Sequence, residues 1–367
     1  MADLLEIFFV CIPGLEPELL AEAREHFPEA RAARGGVELR GTWEDVWRAN
    51  LVLRGATRVL ARIGHIEARS LKALEQQAAR FPWQQHVAPR EPVRLDVTCR
   101  KSRIAHAGAA AQKLERALRV AAIPVVPKAA ITLKARIDGD RCTFSIDTSG
   151  APLHKRGFKE AVGKAPLRET MAALLLRRAG FRLGETVVDP FCGSGTFPIE
   201  AADIASGRLA GSSREFAFER LPSFNAAKYR LLTTRRADTP GRYFGFDRDA
   251  GAVRMAKANA ARAGLSCEFE QRDVADLLAP DTEPGLVICN PPYGDRIGHA
   301  PALKPLYATL GARLSTHFQG WRVGILTSDP QLANASGLSF QPKGPPIAHG
   351  GLKVWFFQTG PLVAASN

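Results

Sequence analysis

Apolar residues follow two different patterns along the chain, and the change between them divides it. In roughly the first 150 residues, short alternating apolar runs are interrupted by helical stretches. The predicted strands are 6–11, 37–39, 58–66, 93–98, 130–137 and 141–147, and the predicted helices are 16–27, 43–51 and 107–120. An Asp-Gly turn at 138–140 favours a hairpin between the last two strands. We therefore expect two small α+β units in this part.

The remainder of the chain alternates strand and helix in a regular way. The predicted strands are 186–189, 243–247, 267–271, 286–290 and 322–327, and the predicted helices are 167–178, 196–205, 250–263 and 302–318. Such alternation predicts a parallel sheet with helices on both faces. Two further strands, at 338–341 and 354–358, would add an antiparallel edge. The expected fold class is therefore α/β, preceded by α+β units.

Composition excludes several classes of protein. Hydrophobic residues make up 46% and charged residues 24% of the 367 residues, as in folded soluble proteins of two or three units. No apolar run approaches the roughly 18 residues that span a bilayer, and the amino terminus lacks the features of a secretory signal. The six cysteines are scattered without zinc-ligand spacing, so we expect no metal site, although a disulfide between distant cysteines stays open. We expect a cytoplasmic protein with no membrane partner.

Positive charge is concentrated in one segment. The net charge is +13, and residues 51–160 hold 21 Lys and Arg against 9 Asp and Glu. Such an excess favours a surface that binds a polyanion such as nucleic acid. A basic solvated surface with no partner is the alternative.

A glycine-rich turn follows the first strand of the α/β part. Residues 187–196 read VVDPFCGSGT, and Gly193 and Gly195 would let the backbone approach a ligand closely. The turn is neither a dinucleotide fingerprint, because Pro198 takes the third glycine position, nor a phosphate-binding P-loop. We expect a nucleoside-containing cofactor here, with a turn used only for packing as the alternative.

Two acidic residues follow the next strands. Asp247 ends the second strand, where a carboxylate would accept the hydroxyl protons of a ribose. Asp273 follows the third strand with Val274, and the pair would offer an acceptor and an apolar flank to an adenine. Taken alone, Asp273 is more typical of a helix cap than of a ligand.

The sequence Asn290-Pro291-Pro292-Tyr293 follows the fourth strand. An amine on a heteroaromatic ring is a poor nucleophile because its lone pair is delocalised. The Asn290 side-chain oxygen and a carbonyl of the Pro-Pro turn would accept its two N–H protons, and Tyr293 would stack on the base. A tight turn without chemistry is the alternative.

These motifs together carry a family resemblance. DPFCGSGT followed by NPPYG resembles the amino-methylating class I methyltransferases over roughly 153–360. The segments 96–106, 145–150 and 153–157 resemble a THUMP RNA-binding domain and its connector. The whole chain is similar to the bacterial THUMP-containing guanine-N2 RNA methyltransferases, which act on 23S rRNA or on tRNA.

The resemblance implies a domain plan and a cofactor. Residues 1–43 would begin a ferredoxin-like unit, 44–155 would hold its remainder and the THUMP region, and 156–367 would form a Rossmann-like methyltransferase domain with a mainly parallel seven-stranded sheet. Asn290, Pro291, Pro292 and Tyr293 would be catalytic. S-adenosyl-L-methionine would be bound by Pro166, Thr170, Asp189, Phe191, Gly193, Ser194, Gly195, Thr196, Asp247, Arg248, Asp273, Val274 and Asn290.

One departure concerns spacing, because Asp247 lies 58 positions after Asp189 instead of the roughly 20 of a dinucleotide fold. The intervening insertion, 208–242, resembles that of the family, so we keep the assignment.

RNA is the expected partner, rRNA before tRNA, with no obligate protein partner. Phosphate contacts are predicted at Lys101, Arg103, Arg141, Lys155 and Arg156. The expected reaction is direct transfer of a methyl group to the N2 amine of a guanosine. Adenine-N6 methylation of DNA and an inactive RNA-binding protein are the alternatives. A cysteine nucleophile is disfavoured, since Cys192 and Cys289 are more typical of packing residues.

Overall fold

The computed structural model describes residues 4–160, 167–232, 238–293 and 300–363. The chain separates into two compact units. The first unit comprises Met1–Cys11, Leu20–Leu153 and Arg214–Thr234, and the second comprises Ile12–Leu19, His154–Ser213 and Arg235–Asn367.

Two short segments belong to one unit although the residues on both sides of them in the chain belong to the other. Residues 12–19 join the second unit, where the Pro13 carbonyl accepts the Ala348 N–H at 3.1 Å. The insertion around Arg214 joins the first unit, where the Arg214 guanidinium donates to the carbonyls of Ser149 and Pro152.

The first unit contains one continuous seven-stranded sheet in the order β2-β3-β1-β4-β7-β6-β5. Its strands are β1 (Leu5–Val10), β2 (Arg31–Ala33), β3 (Gly36–Gly41), β4 (Arg58–Glu67), β5 (Val93–Arg100), β6 (Ile131–Asp138) and β7 (Arg141–Asp147). All neighbours are antiparallel except β5 and β6. Because β4 pairs with both β1 and β7, the strands predicted for the two α+β units form one continuous sheet. Periodicity identifies strands, but it does not show which edges pair.

Helices pack against strands β3, β4 and β5 of this sheet. The α-helices that occur between β1 and β7 in the chain are α1 (Glu16–His26), α2 (Trp43–Val52), α3 (Leu71–Ala79) and α4 (Ala107–Val120). Thr42 begins α2 with a capping box, in which its hydroxyl accepts the Asp45 N–H and the Asp45 carboxylate accepts the Thr42 N–H. Along β6 the burial alternates: Leu133, Ala135 and Ile137 are buried, whereas Arg136 is exposed. The sheet therefore has one apolar and one more polar face.

The second unit contains the predicted, mainly parallel seven-stranded sheet. Its order is β10-β9-β8-β11-β12-β14-β13, and only β14 runs against its neighbours. The strands are β8 (Val187–Asp189), β9 (Tyr243–Asp247), β10 (Glu268–Gln271), β11 (Leu286–Cys289), β12 (Arg322–Thr327), β13 (Ile347–His349) and β14 (Leu352–Gln358). Every residue of β8 and β11 is buried, as expected for a sheet covered on both faces.

One predicted strand is absent from this sheet. Residues 338–341 form no strand, and the partner of β14 at the edge is β13 instead. Pro342, Pro345 and Pro346 follow the predicted strand and lack the N–H groups that a ladder needs.

The remaining helices are α5 (Glu169–Arg178), α6 (Thr196–Ala205), α7 (Ala226–Leu231), α8 (Ala250–Ala263), α9 (Ala300–His317) and α10 (Pro330–Ala335). Asp249 begins α8 by accepting the Gly251 N–H, and Gly264 ends it in the left-handed region. None of the described helices is both long and apolar enough to cross a membrane. The six cysteines are free thiols.

Candidate active site

A cavity of about 720 Å³ opens in the second unit, where β8, β9 and β11 end. Parallel strands bring their carboxyl ends to the same edge of a sheet, so the turns that follow them converge there. Most of the predicted site residues line this cavity. They are Asp189, Phe191, Gly193, Ser194, Thr196, Asp247, Arg248, Asp273, Val274, Asn290, Pro291, Pro292 and Tyr293.

Hydrogen bonds between strand ends hold the glycine-rich turn. The Asp189 carboxylate accepts the Phe191 N–H at 3.0 Å, and the Asp247 carboxylate accepts the Gly193 N–H at 3.0 Å. A Cβ at Gly193 would meet no atom within 4 Å, but φ is +52°, a conformation that side-chain-bearing residues rarely adopt. The turn therefore exposes backbone to the cavity at Gly193.

Gly195 has a different role from the one predicted. It does not line the cavity; it begins α6 with φ of +84°. A Cβ there would lie 3.0 Å from both Ile199 and Phe269. Gly195 is thus required for packing behind the turn, and its predicted cofactor contact stays a prediction.

Asp189 is the most buried acid of the cavity, with 2% of its surface exposed. Burial raises the pKa of its carboxyl well above the ordinary value, and the nearby Asp247 raises it further, against the opposing hydrogen bond from Phe191. A positively charged ligand in the cavity would favour the ionised form of Asp189.

Asp273 caps a short 3₁₀ turn, Val274–Asp276, by accepting the Ala275 N–H at 2.9 Å. Its side chain is exposed to the cavity, and Val274 beside it is buried. A carboxylate has room for further hydrogen bonds, so capping and ligand binding are compatible at this residue.

The turn after β11 presents an unsatisfied acceptor. The Asn290 Oδ1 atom is shielded from solvent and has no hydrogen-bond partner among the described residues. A buried polar atom without a partner costs roughly 1–3 kcal/mol, so the site favours a ligand that donates a hydrogen bond there. Tyr307, which is fully buried in α9, donates its hydroxyl to the Pro292 carbonyl at 3.3 Å and holds the turn. Burial raises the pKa of Tyr293, which therefore stays a neutral phenol.

Two predicted residues lie elsewhere. Thr170 is buried within α5 and does not line the cavity, so its cofactor contact stays a prediction. Arg156 is 2% exposed, and its guanidinium bonds the buried Glu200 carboxylate at 3.1 Å. The predicted phosphate contact of Arg156 stays a prediction, and in this structure the Glu200 carboxylate already neutralises its charge inside the unit. Pro166 lies outside the described residues.

The other predicted phosphate contacts divide between the two units. Lys155 lines the cavity of the second unit. In the first unit, Lys101 and Arg103 border a small hollow after β5, and Arg141 begins β7 with its guanidinium 3.0 Å from the His65 Nδ1 atom.

Several residues of the cavity wall were not predicted from the sequence. Lys159 forms an ion pair with Glu169 at 3.2 Å, and its ammonium also donates to the Thr196 hydroxyl at 2.8 Å. It follows the connector segment 153–157, which contains His154, but that segment did not show which side chains face the cavity. Arg168, Leu306, His349 and Leu352 also line the cavity without having been predicted. Among the described residues no cluster of His, Cys, Asp or Glu could hold a metal ion.

The order of strands, the single reversed strand β14 and the cavity at the carboxyl ends are those of the class I methyltransferase fold. Within that class, the chain belongs to the UPF0020 family, whose model, described as the RMKL-like methyltransferase domain, matches residues 156–343. A second model, the RlmL ferredoxin-like domain, matches residues 6–60.

Individual relatives agree with the family. The ribosomal RNA large subunit methyltransferase K/L of Methylococcus capsulatus is 34% identical over 354 residues, which cover 90% of this chain and 48% of that protein. The chain spans about half the length of the curated relatives it matches.

Two solved structures resemble the chain over nearly its whole length. SMU.472, described as a methyltransferase and solved with S-adenosylhomocysteine, has a TM-score of 0.86 and 27% identity over 100% of both chains. A protein from Listeria monocytogenes, described as a predicted N6-adenine-specific DNA methylase, has a TM-score of 0.83 and 29% identity over 98% of this chain and 96% of its own.

Proposed function

We propose that this protein transfers a methyl group from S-adenosyl-L-methionine to the exocyclic N2 amine of a guanosine in the large-subunit ribosomal RNA. The observation that carries the proposal is the buried, unpartnered Asn290 Oδ1 atom in the same cavity as the glycine-rich turn. The names of the curated relatives support rRNA as the substrate. An rRNA substrate would also place the protein in the cytoplasm.

The described residues fit this cofactor. The backbone at Gly193 is open to a ligand, and Asp247 lies beside it after β9. Asp189 is a buried acid whose ionisation a cationic ligand would favour. When bound, the cofactor supplies a methyl group that its positively charged sulfur already activates.

The protein then contributes position and control of the amine's lone pair. Asn290 Oδ1 would accept one N–H of the amine, so that the lone pair concentrates on nitrogen. The Tyr307 hydroxyl fixes the Pro-Pro turn through the Pro292 carbonyl, and Tyr293 offers a ring for stacking. Positioning and fixed dipoles are the contributions that such a transfer requires.

Asn290→Ala tests this mechanism. We expect it to abolish methyl transfer while S-adenosylhomocysteine binding, measured by calorimetry, stays within about twofold. Asn334→Ala, an exposed asparagine of α10 outside the cavity, is the matched control and should keep full activity. Normal turnover by Asn290→Ala would remove the proposed role of the turn.

The methylated nucleoside that forms identifies the substrate of the protein. Purified RNA and DNA would be incubated with labelled cofactor, and the nucleosides would be identified by mass spectrometry. N2-methylguanosine in rRNA is the expected product, and tRNA is the second RNA to test.

The second candidate is adenine-N6 methylation of DNA, which the name of the Listeria monocytogenes relative favours. It predicts N6-methyladenine in DNA in the same experiment. A chain that binds neither S-adenosylmethionine nor its product would instead favour an inactive RNA-binding protein.

The first unit is, in this proposal, the part that binds RNA. Residues 44–155 would contain the THUMP region, with Lys101, Arg103 and Arg141 as its phosphate contacts. Lys101 and Arg103 are adjacent to the same hollow, which supports their acting together.

A further inference from the structure

Acidic and basic side chains both line the cavity, and Arg248 and Arg272 are the chain neighbours of Asp247 and Asp273. The acids Asp189, Asp247 and Asp273 follow β8, β9 and β10, which form one half of the sheet. At the opposite edge, His349 ends β13. The turn that carries Asn290 follows β11, between these two halves.

Other basic side chains line the cavity besides His349, Arg248 and Arg272. They are His154, Lys155, Lys159 and Arg168. After burial, the charge of Arg168 is the next cause that lowers the pKa of both His154 and His349. Lys159 is held in an ion pair with Glu169 at 3.2 Å. His154, Lys155, Arg168 and His349 therefore form a basic group in the cavity.

Several arginines of the second unit are held by carboxylates. Arg178, Arg208 and Arg322 each form an ion pair with a carboxylate. The exposed guanidinium of Arg168 has no ion pair and no side-chain hydrogen bond among the described residues. A free guanidinium beside a cavity is a ready partner for an anion, because its fork of donors matches carboxylate and phosphate oxygens.

The backbone adds to this preference. Arg168 is also the residue before the first turn of α5, a helix of ten residues, and no side chain caps that end. The first N–H groups of a helix and its dipole favour a negative group, and Leu167 to Glu169 line the cavity here.

The two imidazoles are suited to the same ligand. Burial lowers the pKa of His154 to about 4, with Arg168 as the next cause, and burial lowers the pKa of His349 with Arg168 in the same role. Both rings are therefore neutral at physiological pH. A neutral ring offers one N–H donor and adds no positive charge against Arg168.

We propose that Arg168, together with His154, Lys155 and His349, binds a phosphodiester group of the nucleic-acid strand next to the target nucleotide. This inference rests on the proposed function and deepens it. Asp189, Asp247 and Asp273 suit the positive charge of the cofactor, whereas this basic group suits an anion of the substrate. The protein would then act on a nucleotide within a polymer and discriminate against the free nucleoside.

Arg168→Ala is the central variant, with Arg182→Ala as the matched control, an exposed arginine of the same unit that does not line the cavity. RNA affinity would be measured by fluorescence anisotropy at several salt concentrations, with a single-stranded fragment of large-subunit rRNA. S-adenosylhomocysteine and 5′-methylthioadenosine, which lacks the amino-acid end, would be titrated by calorimetry.

We expect Arg168→Ala to weaken RNA binding about tenfold, since a charge-assisted hydrogen bond is lost. The slope of log affinity against log salt should become shallower by about 0.7, the value for one phosphate contact on a single strand. Arg168→Lys should restore the slope and part of the affinity. Binding of both adenosine ligands should stay within about twofold, and Arg182→Ala should match the wild type.

Two outcomes would overturn the inference. One is equal RNA affinity and equal salt slope in Arg168→Ala and the wild type. The other is a loss of S-adenosylhomocysteine binding with unchanged 5′-methylthioadenosine binding, which would assign Arg168 to the cofactor's carboxylate.

The two proposals fail separately. If the wild type methylates no rRNA but Arg168→Ala still flattens the salt slope, the proposed function fails and the phosphate site stands. Binding by Asn290→Ala, which should keep the wild-type slope, confirms that the readout does not depend on turnover.

Discussion

The two sheets of this protein have seven strands each, yet they carry their polar residues differently. In the first unit, burial along β4 and β6 alternates, and only β5 and β6 run parallel. In the second, β8 and β11 are buried throughout, and six strands share one direction. A sheet covered on one face spreads its polar side chains over the other. A sheet covered on both faces leaves its strand ends as the place for them, and the cavity lies there.

The largest effect that we expect is the loss of stability when a buried ion pair of the second unit is broken. The comparison is with an exposed ion pair of the first unit. Arg156→Ala leaves Glu200 buried without its guanidinium, and we expect a loss of about 3–5 kcal/mol in unfolding free energy. Arg119→Ala breaks an exposed pair with Glu115 on α4 and should cost less than about 0.5 kcal/mol. Urea denaturation measures both. If both variants lost less than about 0.5 kcal/mol of unfolding free energy, Arg156 would not be needed inside the unit. That result would favour the predicted phosphate contact of Arg156.

A smaller effect tests how tightly the covered sheet is packed. A Cβ at Gly245 in β9 would lie 2.5 Å from the Phe269 ring and 2.9 Å from Cys192, so Gly245→Ala should cost about 1–3 kcal/mol. Gly108 in α4 of the first unit has no atom within 4 Å of a Cβ, and Gly108→Ala should add about 0.5–1 kcal/mol. Thermal melts of the two variants provide the measurement. A stabilising Gly245→Ala would contradict the close packing of Gly245 against Phe269 and Cys192.

The smallest effect is a pH dependence of stability. The folded-state pKa of Asp189 lies well above its ordinary value, chiefly because of burial, so the ligand-free protein binds this proton more tightly when folded. Its contribution to stability is present at low pH and is lost as the pH rises from the ordinary pKa towards the folded one. Asp189→Asn should remove that decline, whereas the exposed Asp281→Asn should keep it. Melting temperatures recorded against pH would show parallel curves for all three proteins if the burial of Asp189 had no such effect.

Much of the fold was predictable because its signals are local. Helices α4, α6 and α8 and strand β9 begin and end where the sequence predicts, since their periodicity is clear. The nine-residue α3 was missed because its apolar stripe is short. The joining of the first unit's strands through β4 depends on pairing between distant segments, which periodicity does not encode.

The site shows the same division. Residues in the turns after β8, β9 and β11 were found because each stands in a motif next to its strand. His154, Arg168 and His349 come from a connector, the residue before a helix and an edge strand, and only tertiary folding brings them to one cavity. Gly195 stands inside a motif but serves packing, so membership of a motif did not determine its role.

The position of β4 between β1 and β7 limits which sequence changes the first unit can tolerate. Residues 58–62 of β4 pair with β1 along one edge, and residues 60–67 pair with β7 along the other, with an irregularity between Arg62 and Gly64. A shift in register on either side would move the side chains that the other side packs against. The ferredoxin-like segment and the strands that follow it therefore cannot be exchanged independently of each other. A chimera that replaced one half while keeping the other would have to preserve this shared strand. Substitutions in β4 should be accompanied by substitutions in both β1 and β7.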